Sequence, residues 1–448
     1  MSRRGEVFQY VGFDLEPGAC RLVCHYELDG RSFSEEIRFP GRGDWDGGDW
    51  DEPAVAEAAR IVFLLTGISY YKTAAPATID LGPHALTVTE RDFLRSYYLD
   101  GLGEFAYRNG LDLSDLRIQA PTRQQAEPAG YSPRPGRPLV PFGGGVDSIT
   151  TVDLITAQTD DAALFVVNRP GDRFTAIERP SLVTGLPVIR AERVLDRQVL
   201  RSAELGFLNG HVPVTGILSA IAVMAAVLGG RDAVVMSNEW SASIATLEAD
   251  GRAINHQYSK SLAFETGLRT VIADIIGDGL QYFSALRPFS ELWIAQRFAG
   301  LPQYLDTFRS CNRAFHIDPA LRLDYWCGRC DKCCFVDLIL APFLDRVSLA
   351  KIFRDREPLD QPDLAGAFRV LTGLSGQTKP WECVGDTSEC QAAVWLAARR
   401  PDRADNGTLH GLSSELAAAG HEPAIHPLLQ PMGPHHIPRR YAAEPLLV

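Results

Sequence analysis

The sequence predicts an α/β protein: a doubly wound parallel sheet preceded by a smaller α+β N-terminal domain. Three observations carry this prediction. The first forty residues alternate polar and apolar in strand fashion around short turn signals, whereas beyond Pro138 short continuous apolar runs alternate with helical stretches. The third is size: 448 residues, 46% of them hydrophobic, can bury the cores of two or three domains.

Taken in order, "VFQYVGFDL", "CRLVCHYEL" and "SFSEEIRF" read as strands joined at "PGA" and "DG", so a small antiparallel sheet is expected. The Gly/Asp/Trp-rich stretch "GRGDWDGGDWDEP" reads as a loop, and helical periodicity follows at Ala54 to Leu65 and Glu90 to Arg108. These elements make an N-terminal domain over residues 1–120. Pro, Gln and Arg crowd the next stretch, which marks 121–137 as a linker. "PLVPF", "AALFVV", "LPVIRAE" and "AVVMSN" are the β-type runs of a catalytic domain over 138–385. Residues 386–448 form a helical extension whose tail, with His435 and His436, reads as a solvated end. The most apolar span, Val212 to Leu228, contains Pro213, Thr215 and Ser219 and is short for a bilayer, so it reads as a buried core helix.

Composition excludes several classes of function. The N-terminus turns polar within a few residues of Val7, unlike a signal peptide, so a cytoplasmic protein without a membrane partner is expected. A net charge of -12 and the lack of any Lys/Arg run argue against a nucleic-acid partner. Of nine cysteines, five fall between Cys311 and Cys334, a clustering that suits metal or thiol chemistry better than a disulfide framework. Arginine outnumbers lysine 39 to 5, yet Lys260 and Lys332 lie in the densest polar motifs. Both are candidates to touch substrate or phosphate.

Three segments carry candidate chemistry. In "PLVPFGGGVDSITTVDLI", Gly143, Gly144 and Gly145 sit between a strand and a helix, where backbone N–H groups and a helix N-terminus suit a phosphate; a tight turn without a ligand is the alternative. Asp147 and Ser148 would add a Mg²⁺-directed carboxylate and a phosphate-directed hydroxyl. In "SNEWSASIATLEADGRAINHQYSKSLAFE", Asn238 and Glu239 follow a strand directly and would point into the cleft beyond its carboxyl end, unless Asn and Ser merely cap the next helix. Finally, Cys311, Cys327, Cys330 and Cys333 have spacing suited to a tetrahedral Zn²⁺ site, with buried free thiols or redox use as alternatives.

The glycine loop lacks a Walker ending and resembles the Ser-Gly-Gly-x-Asp-Ser loop of the PP-loop ATP pyrophosphatases, with Gly143 in place of the leading serine and Val146 where many relatives carry lysine. The cysteine array is similar to the zinc-binding CGxCxxC core of 7-cyano-7-deazaguanine synthases, with a longer first gap. Taken together and in order, "GGGVDS", "SNEWSAS", "NHQYSKS", "RPFSELW" and "CGRCDKC" resemble the UDP-N-acetylmuramoyl-L-alanyl-L-glutamate epimerases of peptidoglycan synthesis.

That resemblance covers most of the chain. It implies ATP and Mg²⁺, a small-molecule substrate, and inversion of the terminal L-Glu to D-Glu through an acyl-adenylate, with release of AMP and diphosphate. Adenylation makes the carboxylate neutral and electron-withdrawing, so the α-proton can leave. The glycines and Ser148 would then hold the pyrophosphate, Asp147 the Mg²⁺, and Asn238 and Lys332 the substrate. Glu239, His256 and Lys260 are the candidates for proton transfer, with a structural hydrogen bond as the alternative for His256. Two other functions fit the motifs. One is a different adenylating enzyme, acting on a nucleobase or tRNA, and the other is a non-catalytic nucleotide sensor on the same fold.

Overall fold

The computed structural model of the protein describes residues 4–41, 49–249, 251–443 and residue 446. Most of the loop expected over 41–53 therefore lies outside the described residues. Twelve strands are formed among the described residues: β1 (Val7–Glu16), β2 (Arg21–Leu28), β3 (Arg31–Arg38), β4 (Thr78–Asp80), β5 (Arg117–Gln119), β6 (Pro138–Pro141), β7 (Ala163–Asn168), β8 (Val188–Val194), β9 (Ala233–Met236), β10 (Leu247–Ala249), β11 (Arg252–Ile254) and β12 (Gln281–Ser284). Ten of them make one sheet in the order β12-β9-β6-β7-β8-β3-β2-β1-β4-β5. Pairing from β12 to β8 and from β1 to β5 is parallel, and only the β8-β3-β2-β1 stretch is antiparallel.

The short apolar runs explain why the sheet is buried on both sides. Successive side chains of a strand point to opposite faces. Leu139, Phe165, Val234 and Tyr282 enter one core, where the helices Pro53–Thr66, Val214–Leu228 and Leu262–Ile275 pack. Their neighbours Val140, Leu164, Val235 and Phe283 enter the other, beneath the helices Val146–Thr156, Glu291–Ala299 and Asp331–Leu340. The apolar span after Pro213 is the core helix expected. The run Pro53–Tyr71 has the length and composition to cross a membrane, and 83% of that window is buried inside the fold.

The first three strands do not close a small sheet of their own, as their pattern suggested; they extend the parallel sheet. A three-stranded meander leaves an edge of unpaired N–H and C=O groups, and here β3 and β8 satisfy each other, with Ile37 opposite Arg193. The junction carries a buried ion pair. Arg193 Nε and Nη2 donate to the Glu35 carboxylate at 2.6 and 3.0 Å, and Glu35 is wholly buried. Arg193→Met would strand that carboxylate, so a loss of roughly 3–5 kcal/mol is expected. A denaturant midpoint equal to the parent's would show the pair to be dispensable.

The tail also departs from expectation, because Ile437, Tyr441 and Ala442 are apolar enough to bury. The Tyr441 hydroxyl donates to both Asp232 oxygens at 2.7 and 2.8 Å, and its ring stacks on Phe283. Asp232 also accepts from the backbone N–H groups of Gly136 and Arg137, so the tail pins the entry to β6. His435 is exposed, but His436 pairs with Thr266 Oγ1 at 2.8 Å.

Candidate functional site

A cavity of about 440 Å³ opens beyond the carboxyl ends of β6, β7 and β9, the place where open parallel sheets hold ligands. One wall is the glycine loop. Gly145 is the N-cap of the helix Val146–Thr156, so that helix's positive end faces the cavity. The three glycines serve different ends. A Cβ at Gly143 would stand in open space, and at Gly145 it would meet Ser310 Oγ at 2.6 Å. Gly144 does not line the cavity; its φ of +74° turns the chain, and a Cβ there would lie 2.2 Å from the Ala176 carbonyl oxygen.

Asp147, Ser148, Asn238, Lys260 and Lys332 all line this cavity, so most of the residues singled out from sequence converge. Ser148 Oγ donates to the Gly145 carbonyl at 3.2 Å, and Asn238 N–H donates to Ser284 Oγ at 2.7 Å, which holds the "SNEW" turn against β12. Glu239 is buried behind the wall. Its carbonyl accepts from Arg287 at 2.8 Å, and its Oε2 has no partner among the described residues. Burial, then the Glu239 charge, push the Asp147 carboxyl up to about 6, against the pull of Lys332 and Lys260. Asp147, a carboxylate on the cavity wall in a place that disfavours its charge, suits a divalent cation, which would also offset the buried Glu239 charge behind it.

His256 lies outside the cavity lining. Its Nδ1 pairs with Glu104 Oε2 at 2.6 Å, its ring centroid is 4.4 Å from that of His211, and it lies beside Cys383. Burial disfavours its charged form, but Cys383 and Glu104 prevail and raise its pKa to about 9. His211, buried beside that cation, is pushed down to about 4. Glu104 thus carries the N-terminal part of the chain to the site.

The four cysteines meet as their spacing predicts. Their sulfurs lie within 4.8 Å of one another, with Cys330–Cys333 at 3.5 Å and Cys327–Cys333 at 3.6 Å. Sulfurs on a tetrahedral zinc with ~2.3 Å bonds stand roughly 3.8 Å apart, so the set fits that ion. The fifteen-residue gap before Cys327 is spanned by loop and 3₁₀ turns that return Cys311 to the cluster. Cys334 points instead into the core.

Several lining groups carried no sequence signal: Arg309, Ser310, Asn312, Glu382 and Cys383. Lys260 Nζ donates to Cys383 Sγ at 3.2 Å, and Lys332 Nζ donates to the Cys383 carbonyl. Burial pushes the Cys383 thiol up, but Lys260, His256 and Lys332 outweigh it and bring it down to about 7. Arg309 N–H holds the Gly144 carbonyl at 3.1 Å, and Arg309 Nε is buried with no partner among the described residues.

Fold and cavity together define an α/β protein with a charged cavity at the carboxyl ends of its parallel strands, where Lys260, Lys332 and Arg309 stand among its lining residues. Comparison with known families sharpens this. The MurL N-terminal domain matches residues 1–285 and the MurL C-terminal domain residues 307–426. The chain belongs to the MurL family. It is similar to proteins named UDP-N-acetyl-alpha-D-muramoyl-L-alanyl-L-glutamate epimerase from Xanthomonas oryzae pv. oryzae (36% identical, covering 96% of this chain and 95% of the relative) and Salinispora tropica (36%, covering 98% and 95%). A third, from Micromonospora, is 35% identical and covers 98% of each chain. The N-terminal match ends one residue past β12, so it takes in the whole sheet, and the cavity draws residues from both matched regions.

Proposed function

We infer that the protein inverts the terminal L-Glu of UDP-N-acetylmuramoyl-L-alanyl-L-glutamate to D-Glu, in the synthesis of a peptidoglycan precursor. The observation that carries this reading is near full-length similarity to three relatives bearing that name, across both MurL regions. We read the sheet and glycine loop as of PP-loop ATP pyrophosphatase type, with ATP as second substrate and AMP and diphosphate as products. Supporting this are the open approach at Gly143, the helix N-terminus behind Gly145, and the cationic wall of Lys260, Lys332 and Arg309.

Asp147 would hold Mg²⁺, which when bound offsets phosphate charge and the Glu239 charge behind the wall. Gly143, Gly145 and Ser148 face the phosphates, and Asn238 orients the glutamyl end. Gly144 shapes the loop. Lys260 serves the reaction as a fixed cation, because Cys383, Glu239 and Asp147 outweigh burial and hold its ammonium protonated. A role as free base is therefore disfavoured for Lys260. The alternative of an adenylating enzyme for nucleobases or tRNA is not favoured, given the family and the acidic charge.

The test is direct. The protein with ATP, Mg²⁺ and the UDP-linked dipeptide is expected to release diphosphate and yield D-glutamate on hydrolysis of the product. Recovery of L-glutamate alone would overturn the reading.

A further inference from the structure

Inversion at the glutamate α-carbon needs a group that can hold the α-proton, and the three candidates singled out from sequence supply none in the cavity in a basic form. Glu239 is walled off from the cavity, Lys260 is locked as a cation, and His256 is engaged with Glu104 behind the lining. Among the described residues the cavity lining holds one thiol, that of Cys383, and Lys260 donates to its sulfur. Cys383 reaches the cavity on the loop between the helices Ala365–Leu371 and Thr387–Ala397, and three cationic groups converge on this residue from separate elements. Lys260 comes from the 3₁₀ turn Tyr258–Lys260, and Lys332 from the first turn of Asp331–Leu340. His256 comes from the loop after β11, with Glu104 and His211 behind it.

We propose that Cys383 is a catalytic residue whose thiolate takes the α-proton of the activated glutamyl group, with Lys260 and the His256–Glu104 pair as positioning residues that keep the sulfur anionic. This rests on the function proposed above. The Cα–H bond breaks and an S–H bond forms, while the electron pair passes into the acyl oxygen. The carbon takes a proton on its opposite face from water in the open cavity, and the hydroxide left behind takes the proton from the thiol, so thiolate and water are both restored. The arrangement follows the logic of nucleophile, histidine and orienting carboxylate. Thiolate character created by neighbouring cations is also what makes a cysteine reactive.

The experiment uses the full chain with ATP, Mg²⁺ and the UDP-linked dipeptide in D₂O, following diphosphate, deuterium at the glutamate α-carbon and glutamate chirality. For Cys383→Ala, inversion per diphosphate released is expected to fall at least about a hundredfold, together with α-deuterium incorporation. An unchanged ratio would overturn the proposal. No diphosphate from the parent protein would instead sink the underlying function, and the proposal with it. Should Cys383→Ala fold poorly, the parent is treated with iodoacetamide and the alkylated thiols are mapped by mass. Loss of inversion that tracks Cys383 supports the assignment, and inversion surviving complete alkylation of Cys383 overturns it. Glu104→Gln provides the readout for positioning. A weaker His256 cation favours the thiolate less, so the ascending limb of the inversion pH profile moves to higher pH, and an unmoved limb would remove Glu104 from the scheme.

Discussion

Asp147→Asn is expected to lose dipeptide-dependent diphosphate release by about a thousandfold or more, while unfolding no more readily than the parent. Both halves follow from one carboxylate. Asp147 is in the first turn of the helix that carries the glycine loop, at the cavity wall, where burial and Glu239 push its carboxyl up to about 6. At neutral pH it is ionised in a place that disfavours its charge. Such strain persists at functional sites because the reaction uses it. Asparagine keeps the shape and removes the repulsion, so metal-free stability holds or rises. The pH dependence has a defined sign. Because the folded value is raised above the ordinary 3.8, this carboxyl's contribution to stability is full below about pH 4 and is lost as pH climbs through about 6. That loss should be absent from the asparagine variant. A large drop in its melting temperature at pH 7 would show Asp147 to be structural.

Cys330→Ser is expected to abolish zinc binding, from about one equivalent per chain to none, and to lower stability by several kcal/mol, since structural zinc contributes on the order of 10 kcal/mol. It should also silence a site to which no cysteine of the cluster belongs. The cause lies in chain continuity. Lys332 stands between Cys330 and Cys333, and Arg309 and Ser310 immediately precede Cys311. A zinc ion held by the four cysteines would therefore fix two segments that bring cations to the cavity. Metal content and diphosphate release should fall together; full activity in a zinc-free protein would break the link.

Much of the site was legible because its residues are grouped in short motifs at strand ends. Where the chain passes from an apolar run to "GGGVDS" or "SNEW", local order alone places the polar groups at the sheet's carboxyl edge. "CGRCDKC" is likewise local, apart from Cys311. What escaped was tertiary. Glu104 ends its approach to His256 across 152 residues of sequence, and Cys383 sits in "KPWECVGD", a loop without periodicity or motif. The only hint was a cysteine preceded by Trp381 and Glu382, apart from the cluster. The fold shows the same division. Alternation identified β1 to β3, and continuous apolar runs β6 to β9, whereas the short parallel strands β4, β5 and β12 were not read; edge-to-edge pairing has no periodic signature, so the union at β3 and β8 could not be read either.

That union governs the order in which the molecule assembles. Glu35 and Arg193, whose strands meet at the middle of the sheet, are 158 residues apart in sequence. Such a contact forms late, because a long loop must close before any pairing rewards it. Until then β3 and β8 each present a bare edge, and either can pair with another copy of the chain as readily as with its own partner. Folding yield should consequently fall with protein concentration, and the seam at the centre of the sheet is the step at which monomer and aggregate part ways.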